Sequence, residues 1–163
     1  IIKVTSPGPI LYNQERMGFD GRVFNIYKFR SMKMGAEDET GPVWASEDDP
    51  RRTKFGALLR KTSLDELPQL FNVLKGEMSL VGPRPERPRL IDDLKKDVPK
   101  YMFRHKMKAG MTGWAQVNGW RGNTSIEKRV EYDLYYIENW SITLDIKIMY
   151  LTLWKGFIDK NGY

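Results

Sequence analysis

Cysteine is absent from this 163-residue chain, and histidine occurs once, at His105. Without thiols the chain can form neither a disulfide bond nor a thiolate metal site. A zinc site built from several histidines is also excluded, and a Ser-His-Asp triad would have to use His105. Carboxylates are therefore the better candidates for reactive groups.

Long hydrophobic runs are also missing. The longest mainly apolar run, residues 148–154, has seven residues, whereas a helix that spans a bilayer needs roughly 20. The printed chain is therefore predicted not to cross a membrane. Because it begins with Ile1 rather than Met and has no signal-peptide pattern, we expect a further segment upstream.

The glycine motifs of common nucleotide-binding folds are absent too. There is neither a Walker loop nor a Gly-x-Gly-x-x-Gly motif, so nothing supports a P-loop NTPase or a Rossmann dinucleotide site. The glycine-punctuated segment 110–119 has the wrong spacing for either motif. It is interpreted as a tight structural loop or as a binding loop.

Positive charge predominates in the chain. There are 27 Lys and Arg residues against 21 Asp and Glu residues, which gives a net charge of +6. Basic residues concentrate at 51–61, with five cations and no acid, and at 87–108, with eight cations and three acids. Each segment is interpreted as a solvated surface or as a surface for phosphate on a nucleotide, lipid headgroup or nucleic acid.

The sequence predicts one helix-rich α+β domain over residues 1–163. Hydrophobic residues make up 40% of the chain, which is enough for a sizeable core. Residues 10–12 and 22–29 are predicted to form a small antiparallel hairpin through the turn at 18–21. An exposed loop at 35–50 and a short helix at 53–60 are expected to follow.

A capping-box pattern predicts that a helix begins near Ser63. Glu66 lies three residues later, as the pattern requires, and Gly76 ends the run. Pro68 should remove a hydrogen bond or kink this helix. The apolar residues that recur at helical spacing are Leu64, Leu67, Phe71 and Leu74.

Two further helices are predicted in the last third of the chain. A second capping box, from Thr124 to Glu127, opens one of them. Its apolar residues are Ile126, Val130, Leu134 and Ile137. The last helix, over 143–157, is apolar around most of its circumference. We therefore expect it to be deeply buried or to rest on an apolar surface.

Asp65 and Glu66 are adjacent acids in the first turn of the predicted helix. Backbone amides and the helix dipole lower carboxylate pKa values there, so both groups are expected to be ionised. An ordinary helix start is the competing interpretation. Arg60, about one turn upstream, and Arg84, between two prolines that restrict its backbone, favour a site. A rigid loop is the alternative interpretation for the segment around Arg84.

An ionised carboxylate beside fixed cations suits one reaction well, which is attack on an activated phosphorus to give an acyl phosphate. Such a centre usually uses a divalent cation. Mg²⁺ takes one or two carboxylates together with phosphate oxygens and water. Asp65 and Glu66 are therefore candidate ligands of Mg²⁺.

Four segments, in this order along the chain, resemble a known family. They are residues 28–32, 62–76, 78–85 and 112–119. Together they are similar to the bacterial sugar transferases, the monotopic polyprenyl-phosphate phosphoglycosyl transferases. Trp114, Trp120 and the segment 41–44 further resemble the branch that starts exopolysaccharide, capsule or O-antigen repeat units, often with glucose or galactose phosphate.

The resemblance implies a catalytic domain that carries out a two-step exchange. Sugar-1-phosphate passes from a UDP-sugar to the enzyme with release of UMP, and then to polyprenyl (undecaprenyl) phosphate. Asp65 is implied to be the nucleophile, and Glu66 to assist with Mg²⁺ or with a proton.

The resemblance also implies which cations bind the substrates. Arg84 matches a phosphate-holding arginine of the family. Lys28 and Arg60 match basic positions near the nucleotide diphosphate or the lipid phosphate. Arg121 falls near a further family arginine, but the local spacing varies there.

A place at the membrane follows from the same resemblance. The family carries a re-entrant membrane helix upstream of the position of Ile1, which this chain lacks. We expect the basic segment 87–108 and the last helix to contact an anionic membrane surface, on the cytoplasmic face of the bacterial inner membrane. A homo-oligomer is a further expectation.

Two other functions are considered. Positive charge with interleaved aromatic residues suits a nucleic-acid-binding module, but no recognised RNA or DNA signature accompanies it. The aromatic residues concerned are Tyr101, Phe103, Trp114 and Trp120. A noncatalytic membrane-associated scaffold would keep the fold without transfer, and the intact pair of acids argues against it. We therefore expect no nucleic-acid partner.

Overall fold

The computed structural model describes residues 1–36, 38, 49–122 and 124–156, apart from the side chains of 155 and 156. The helices are α1 (Ile2–Thr5), α2 (Lys54–Lys61), α3 (Gln69–Leu74), α4 (Pro88–Asp97), α5 (Trp114–Val117), α6 (Ile126–Glu138) and α7 (Ile142–Gly156). The strands are β1 (Leu11–Met17), β2 (Val23–Phe29), β3 (Ser79–Val81) and β4 (Gly110–Thr112). The predicted α+β class is confirmed. Most of the predicted loop at 35–50, the segment 41–44 and residue 157 lie outside the described residues.

Strands β1 and β2 form the predicted antiparallel hairpin. Its register runs from Leu11 opposite Phe29 to Met17 opposite Val23. Asp20, in the turn, has the positive φ of 52° that such tight connections require. Strand β1 is longer than predicted because its polar residues, which do not read as a strand by themselves, pair with β2 along its whole length.

A parallel pair of strands, β3 and β4, was not predicted, since each strand has only three residues and carries no periodic signal. The glycines of segment 110–119 explain the close approach. A Cβ at Gly110 would lie 2.1 Å from the nitrogen of Gly82, and one at Gly113 would lie 2.3 Å from its oxygen. The glycines at 110 and 113 therefore have a packing role.

Helix α6 contributes to two hydrophobic cores. The first core consists of Val81, Val117, Tyr136 and Ile148, and the second of Ile91, Val98, Tyr101 and Val130. The helix begins one residue later than predicted, because the side chain of Ser125, rather than Thr124, accepts the hydrogen bond from the backbone nitrogen of Lys128. The first core includes residues of β3 and α5, and the loops after these two elements carry Arg84 and Arg121.

The helix predicted from Ser63 is wrong in its first part. Ser63 has a left-handed backbone (φ 54°) and makes no capping hydrogen bond. The chain then forms a 3-10 turn, Leu64–Glu66, and helix α3 starts only after Pro68. Pro68 thus divides the predicted helix, as its position allowed.

Helix α3 also buries its polar rather than its apolar side. Phe71 is 61% exposed and Leu74 is 83% exposed, whereas Gln69 and Asn72 are buried. The side chain of Asn72 accepts from the nitrogen of Tyr27 and donates to strand β2 and to Glu77. These bonds tie α3 to the hairpin and leave an apolar surface uncovered.

The last helix, α7, has one buried and one exposed apolar face. Ile148 is fully buried in the first core. The exposed apolar residues of α7 are Ile142, Ile146, Tyr150, Leu153 and Trp154. Deep burial of the whole helix is therefore excluded. None of the helices in the described ranges combines the length and apolarity needed to cross a bilayer.

Candidate active site

A cavity of about 510 Å³ lies between the hairpin and the loops that follow α2, β3 and α5. Ten of its lining side chains are basic and four are acidic, among the residues described. We call it the cationic pocket. Each residue predicted from the sequence for the site lines it, and these residues are Lys28, Arg60, Asp65, Glu66, Arg84 and Arg121. The structure therefore brings together groups that are far apart in sequence.

Glu66 is buried and held by three cations. Its Oε1 accepts hydrogen bonds from Lys28 Nζ at 2.9 Å, from Arg121 Nη2 at 3.4 Å and from Arg84 Nη2. Its Oε2 accepts from Arg84 Nη1 at 3.2 Å. We call these four residues the Glu66 cluster. Burial opposes the charge on Glu66, but the attraction of Arg84, Lys28 and Arg121 outweighs burial and holds the pKa well below its usual range.

Asp65 differs from its neighbour although it is equally buried. No hydrogen bond or ion pair to its carboxylate occurs within the described part of the chain. Burial, followed by repulsion from Glu66, raises the pKa of Asp65, and Lys28, Arg60 and Arg121 only partly oppose this. The expectation of a lowered pKa at a helix start is therefore wrong for Asp65, because the residue lies in a buried 3-10 turn.

Lys28 and Arg60 lie in regular elements, whereas Arg121 lies in a loop and is held by its side-chain contacts. Lys28 lies near the end of β2, and burial lowers its pKa to about 8 even though Glu66 acts in the opposite direction. Arg60 lies in the last turn of α2, where its Nε donates to Ser31 Oγ at 2.8 Å. Arg121 Nη1 also reaches Ser63 Oγ at 3.5 Å. This contact engages the left-handed residue two positions before Asp65, and strained backbone of this kind is common at functional sites.

The two predicted metal ligands differ in how well they fit Mg²⁺. Both oxygens of Glu66 already accept from cations, so the geometry does not support Glu66 as a ligand. Asp65 offers a carboxylate to which no described residue donates a hydrogen bond, and this suits an ion that also binds phosphate oxygens. The described residues contain no group of three acid, histidine or cysteine side chains arranged for a metal.

The described structure gives His105, Trp114 and Trp120 structural roles. His105 is buried outside the cationic pocket, and burial lowers its pKa to about 4, so it is neutral at pH 7. Trp114 stacks on Tyr135, and Trp120 lies against Tyr132. The two tryptophans therefore pack against the protein's own rings.

Sequence reasoning missed a group of charged residues beside and behind the pocket. Arg104 and Asp133 are buried outside the pocket, whereas Glu86, Arg129 and the less buried Arg16 also line it. Arg104 pairs with Asp133 and also donates to the backbone oxygen of Arg84 at 3.0 Å. A signal was present, because Arg129 and Asp133 fall on the apolar face of the predicted helix α6. The burial of Arg104 also shows that segment 87–108 is not one open basic surface.

Comparisons with known proteins agree with the resemblance. The family described as bacterial sugar transferase matches residues 1–159. A UDP-glucose:undecaprenyl-phosphate glucose-1-phosphate transferase from Escherichia coli (strain K12) is 51% identical over 99% of this chain and 36% of its own length. A UDP-N-acetylgalactosamine-undecaprenyl-phosphate N-acetylgalactosaminephosphotransferase from Aeromonas hydrophila is 45% identical over 94% of this chain and 36% of its own length.

A shorter relative is matched over most of its length. The exopolysaccharide production protein PSS from Rhizobium leguminosarum bv. phaseoli is 44% identical over 96% of this chain and 85% of its own length. The chain spans only about a third of the first two relatives. The family match nevertheless covers nearly all of the chain, so the chain belongs to the bacterial sugar transferase family.

Proposed function

We propose that this chain transfers sugar-1-phosphate from a UDP-sugar to undecaprenyl phosphate through a covalent intermediate on Asp65. The observation that carries the proposal is the contrast between the two adjacent acids. Glu66 is neutralised by three cations, whereas Asp65 has no described partner and faces a pocket rich in positive charge. A buried carboxylate with free lone pairs is suited to nucleophilic attack.

The first half-reaction conserves charge without a proton transfer. An Asp65 carboxylate oxygen attacks the phosphorus that carries the sugar. A phosphorus–oxygen bond forms, and the bond from that phosphorus to the oxygen bridging the two phosphates breaks, so UMP leaves with the bridging oxygen. In the second half-reaction a phosphate oxygen of undecaprenyl phosphate attacks the same phosphorus and releases the Asp65 carboxylate.

The cations of the pocket account for the electrostatic part of the mechanism. The diphosphate carries negative charge into the pocket, and the leaving UMP gains charge as its bond breaks. Arg84 and Arg121 are placed to hold phosphate oxygens, while Lys28 and Arg60 add positive charge close to Asp65. Fixed donors aimed at developing charge lower the barrier because no solvent has to reorganise.

Asp65 is the acid of the pair that fits a Mg²⁺ ion brought in on the donor diphosphate. Bound there, Mg²⁺ would neutralise charge on the diphosphate and on the departing UMP. Glu66 has a different role in this proposal. It keeps Lys28, Arg84 and Arg121 at one point, so that these side chains frame the phosphate site.

A lipid acceptor requires access from a membrane, and the exposed apolar surfaces of α3 and α7 suit contact with one. We therefore propose that these surfaces rest on the bilayer that holds undecaprenyl phosphate. Flotation with anionic vesicles tests this. Phe71→Glu and Trp154→Glu should reduce the bound fraction, whereas Val23→Glu, which makes the same charge change at an exposed apolar residue of β2, serves as the control.

The nucleic-acid alternative has less support. Ten of the described cations line a concave pocket rather than an open surface. Trp114 and Trp120, on which nucleic-acid bases could stack, are instead packed against tyrosines. A pocket of this size and charge suits a small phosphorylated ligand.

The test of the proposed function is transfer itself. The chain is incubated with undecaprenyl phosphate in vesicles, Mg²⁺ and UDP-glucose, UDP-galactose or an N-acetylated UDP-sugar, and both lipid product and UMP are measured. The proposal predicts equal amounts of the two products with at least one donor. Absence of both with every donor would favour the noncatalytic scaffold.

A further inference from the structure

Two separate loops supply the arginines that flank Glu66. Arg84 lies in the loop after β3, and Arg121 lies in the loop after α5. Both donate to the same Oε1 of Glu66. A diphosphate held by both arginines would be sensitive to the separation of their guanidinium groups, and that separation depends on how the two loops are joined.

Arg129 joins the two loops at the wall of the cationic pocket. Its Nη1 donates to Glu86 Oε1 at 2.6 Å, and Glu86 lies two residues after Arg84. Its Nη2 donates to the backbone oxygen of Gly122 at 2.6 Å, directly after Arg121. The chain and these hydrogen bonds thus form a closed ring through the Glu66 cluster.

We call this link through Arg129 the bridge, and hydrogen bonding and packing hold Arg129 in place on α6. Arg129 lies in the first turn of α6, its backbone nitrogen donates to the oxygen of Ser125, and the next residue, Val130, is packed in the second core. Arg129 and Glu86 are 3% and 6% exposed. Because a guanidinium is planar, two of its nitrogens bound to two partners fix the distance between those partners.

The hairpin supports the other end of the bridge. The oxygen of Glu86 accepts from the nitrogen of Met17 at 2.9 Å, and Arg16 Nη1 donates to the oxygen of Pro85 at 3.2 Å. The segment that carries Arg84 is therefore held from the hairpin and from α6 together.

We propose that Arg129 and Glu86 are positioning residues that set the separation of the Arg84 and Arg121 guanidinium groups and thereby the affinity of the pocket for a diphosphate. This inference rests on the proposed function, in which those arginines hold phosphate. It assigns Arg129 an effect on ligand affinity that is separate from its effect on stability.

The test uses UDP, which has the diphosphate but no sugar to transfer, so its binding can be measured by calorimetry without turnover. Arg129→Lys keeps the positive charge but cannot hold both partners in one plane. We expect its affinity for UDP to fall about tenfold or more, as for other displaced binding groups, while binding of uridine, which lacks phosphate, is unchanged. Glu86→Gln replaces Arg129→Lys in the same test if the latter does not fold.

A double-mutant cycle separates positioning from a general structural role. In an Arg121→Ala background the group on one side of the bridge is gone, so Arg129→Lys should then weaken UDP binding much less than it does alone. The control is Ile148→Ala, which removes buried apolar volume in the first core and should lower the unfolding temperature with little change in UDP affinity.

The binding measurements distinguish a failure of the proposed function from a failure of the positioning role. If neither UDP nor UDP-glucose binds the unaltered chain, the proposed function fails. If UDP binds but Arg129→Lys leaves its affinity unchanged, or weakens it equally with and without Arg121, Arg129 does not act through Arg121 and the positioning role is wrong.

Discussion

The Glu66 cluster and the Arg104–Asp133 pair both bury charge, but they balance it differently. In the pair, one guanidinium meets one carboxylate, and both side chains are 2% exposed. In the cluster, three cations meet one carboxylate beside an acid without a described partner, and all of them line the cationic pocket. Outside the pocket, the balanced Arg104–Asp133 pair joins α6 to the loop of Arg84. At the pocket, the excess of positive charge favours the binding of an anionic ligand.

The buried acids of the two sites share the direction of their pKa shift but differ in their contacts. Burial raises the pKa of Asp133, while the attraction of Asp133 outweighs burial at Arg104 and raises the pKa of Arg104. At Asp65 burial prevails and raises the pKa of the acid. Asp133 accepts hydrogen bonds from Arg104, whereas no described residue donates to Asp65, so the carboxylate of Asp65 is the one that a ligand or a reaction can use.

The largest expected effect is the loss of transfer in Asp65→Asn. Removing the nucleophile should reduce UMP release by at least about 10³-fold. Stability should not fall at pH 7. Because the pKa of Asp65 is raised in the folded state, that state binds more protons than the unfolded state at pH values between the two pKa values. The free energy of unfolding therefore falls as the pH rises through this range, and the ionised acid destabilises the fold at higher pH. UMP release and denaturant unfolding, both measured at pH 7, test the two parts.

The matched substitution Asp133→Asn should have the opposite profile. It leaves Arg104 buried without its counter-charge, and breaking such a pair costs about 3–5 kcal/mol. We expect a large fall in the free energy of unfolding. A free energy of unfolding equal to that of the unaltered chain would show that the pair does not stabilise the fold.

Changes at Arg84 should act mainly on catalysis. Arg84→Ala removes a charged donor from the phosphate site and should slow UMP release by about 10²-fold. Arg84→Lys restores charge but not the two-pronged contact, so its rate should lie between those of the alanine variant and the unaltered chain. Unchanged rates and unchanged UDP-sugar affinity in both variants would count against phosphate binding by Arg84.

The smallest expected effect is on the alkaline side of the pH profile. Burial lowers the pKa of Lys28 to about 8, so the side chain is charged below that pH and becomes neutral above it. We expect kcat/KM for the UDP-sugar to fall above about pH 8, by no more than about tenfold per pH unit. Lys28→Arg keeps its charge and should remove this decline, and an unchanged decline would assign it to another group.

Local signals in the sequence predicted much of the fold. The hairpin, α2, α6 and α7 were identified because turn residues, caps and apolar periodicity act over a few neighbouring residues. The parallel strands β3 and β4 were not, since their pairing depends on contacts some 30 residues apart in the chain. The helix from Ser63 failed because tertiary contacts place that residue in a left-handed conformation.

The candidate site was predicted in membership but not in geometry. The residue pattern indicated Asp65, Glu66, Arg60 and Arg84, and the resemblance added Lys28 and Arg121. All six line one pocket in the structure. The different environments of the two acids were not predictable, because they depend on which loops reach Glu66. Arg129 was also missed, although a charged residue on the apolar face of a predicted helix is a signal worth testing in other sequences.

The most direct test of the central claim is the intact mass of the chain after incubation with UDP-glucose, UDP-galactose or an N-acetylated UDP-sugar in the presence of Mg²⁺. The account predicts an added mass of one sugar phosphate with at least one donor, mapped to Asp65, matched by UMP in the same tube and absent from Asp65→Asn. An adduct on another residue, or UMP formed at an equal rate by Asp65→Asn, would contradict it.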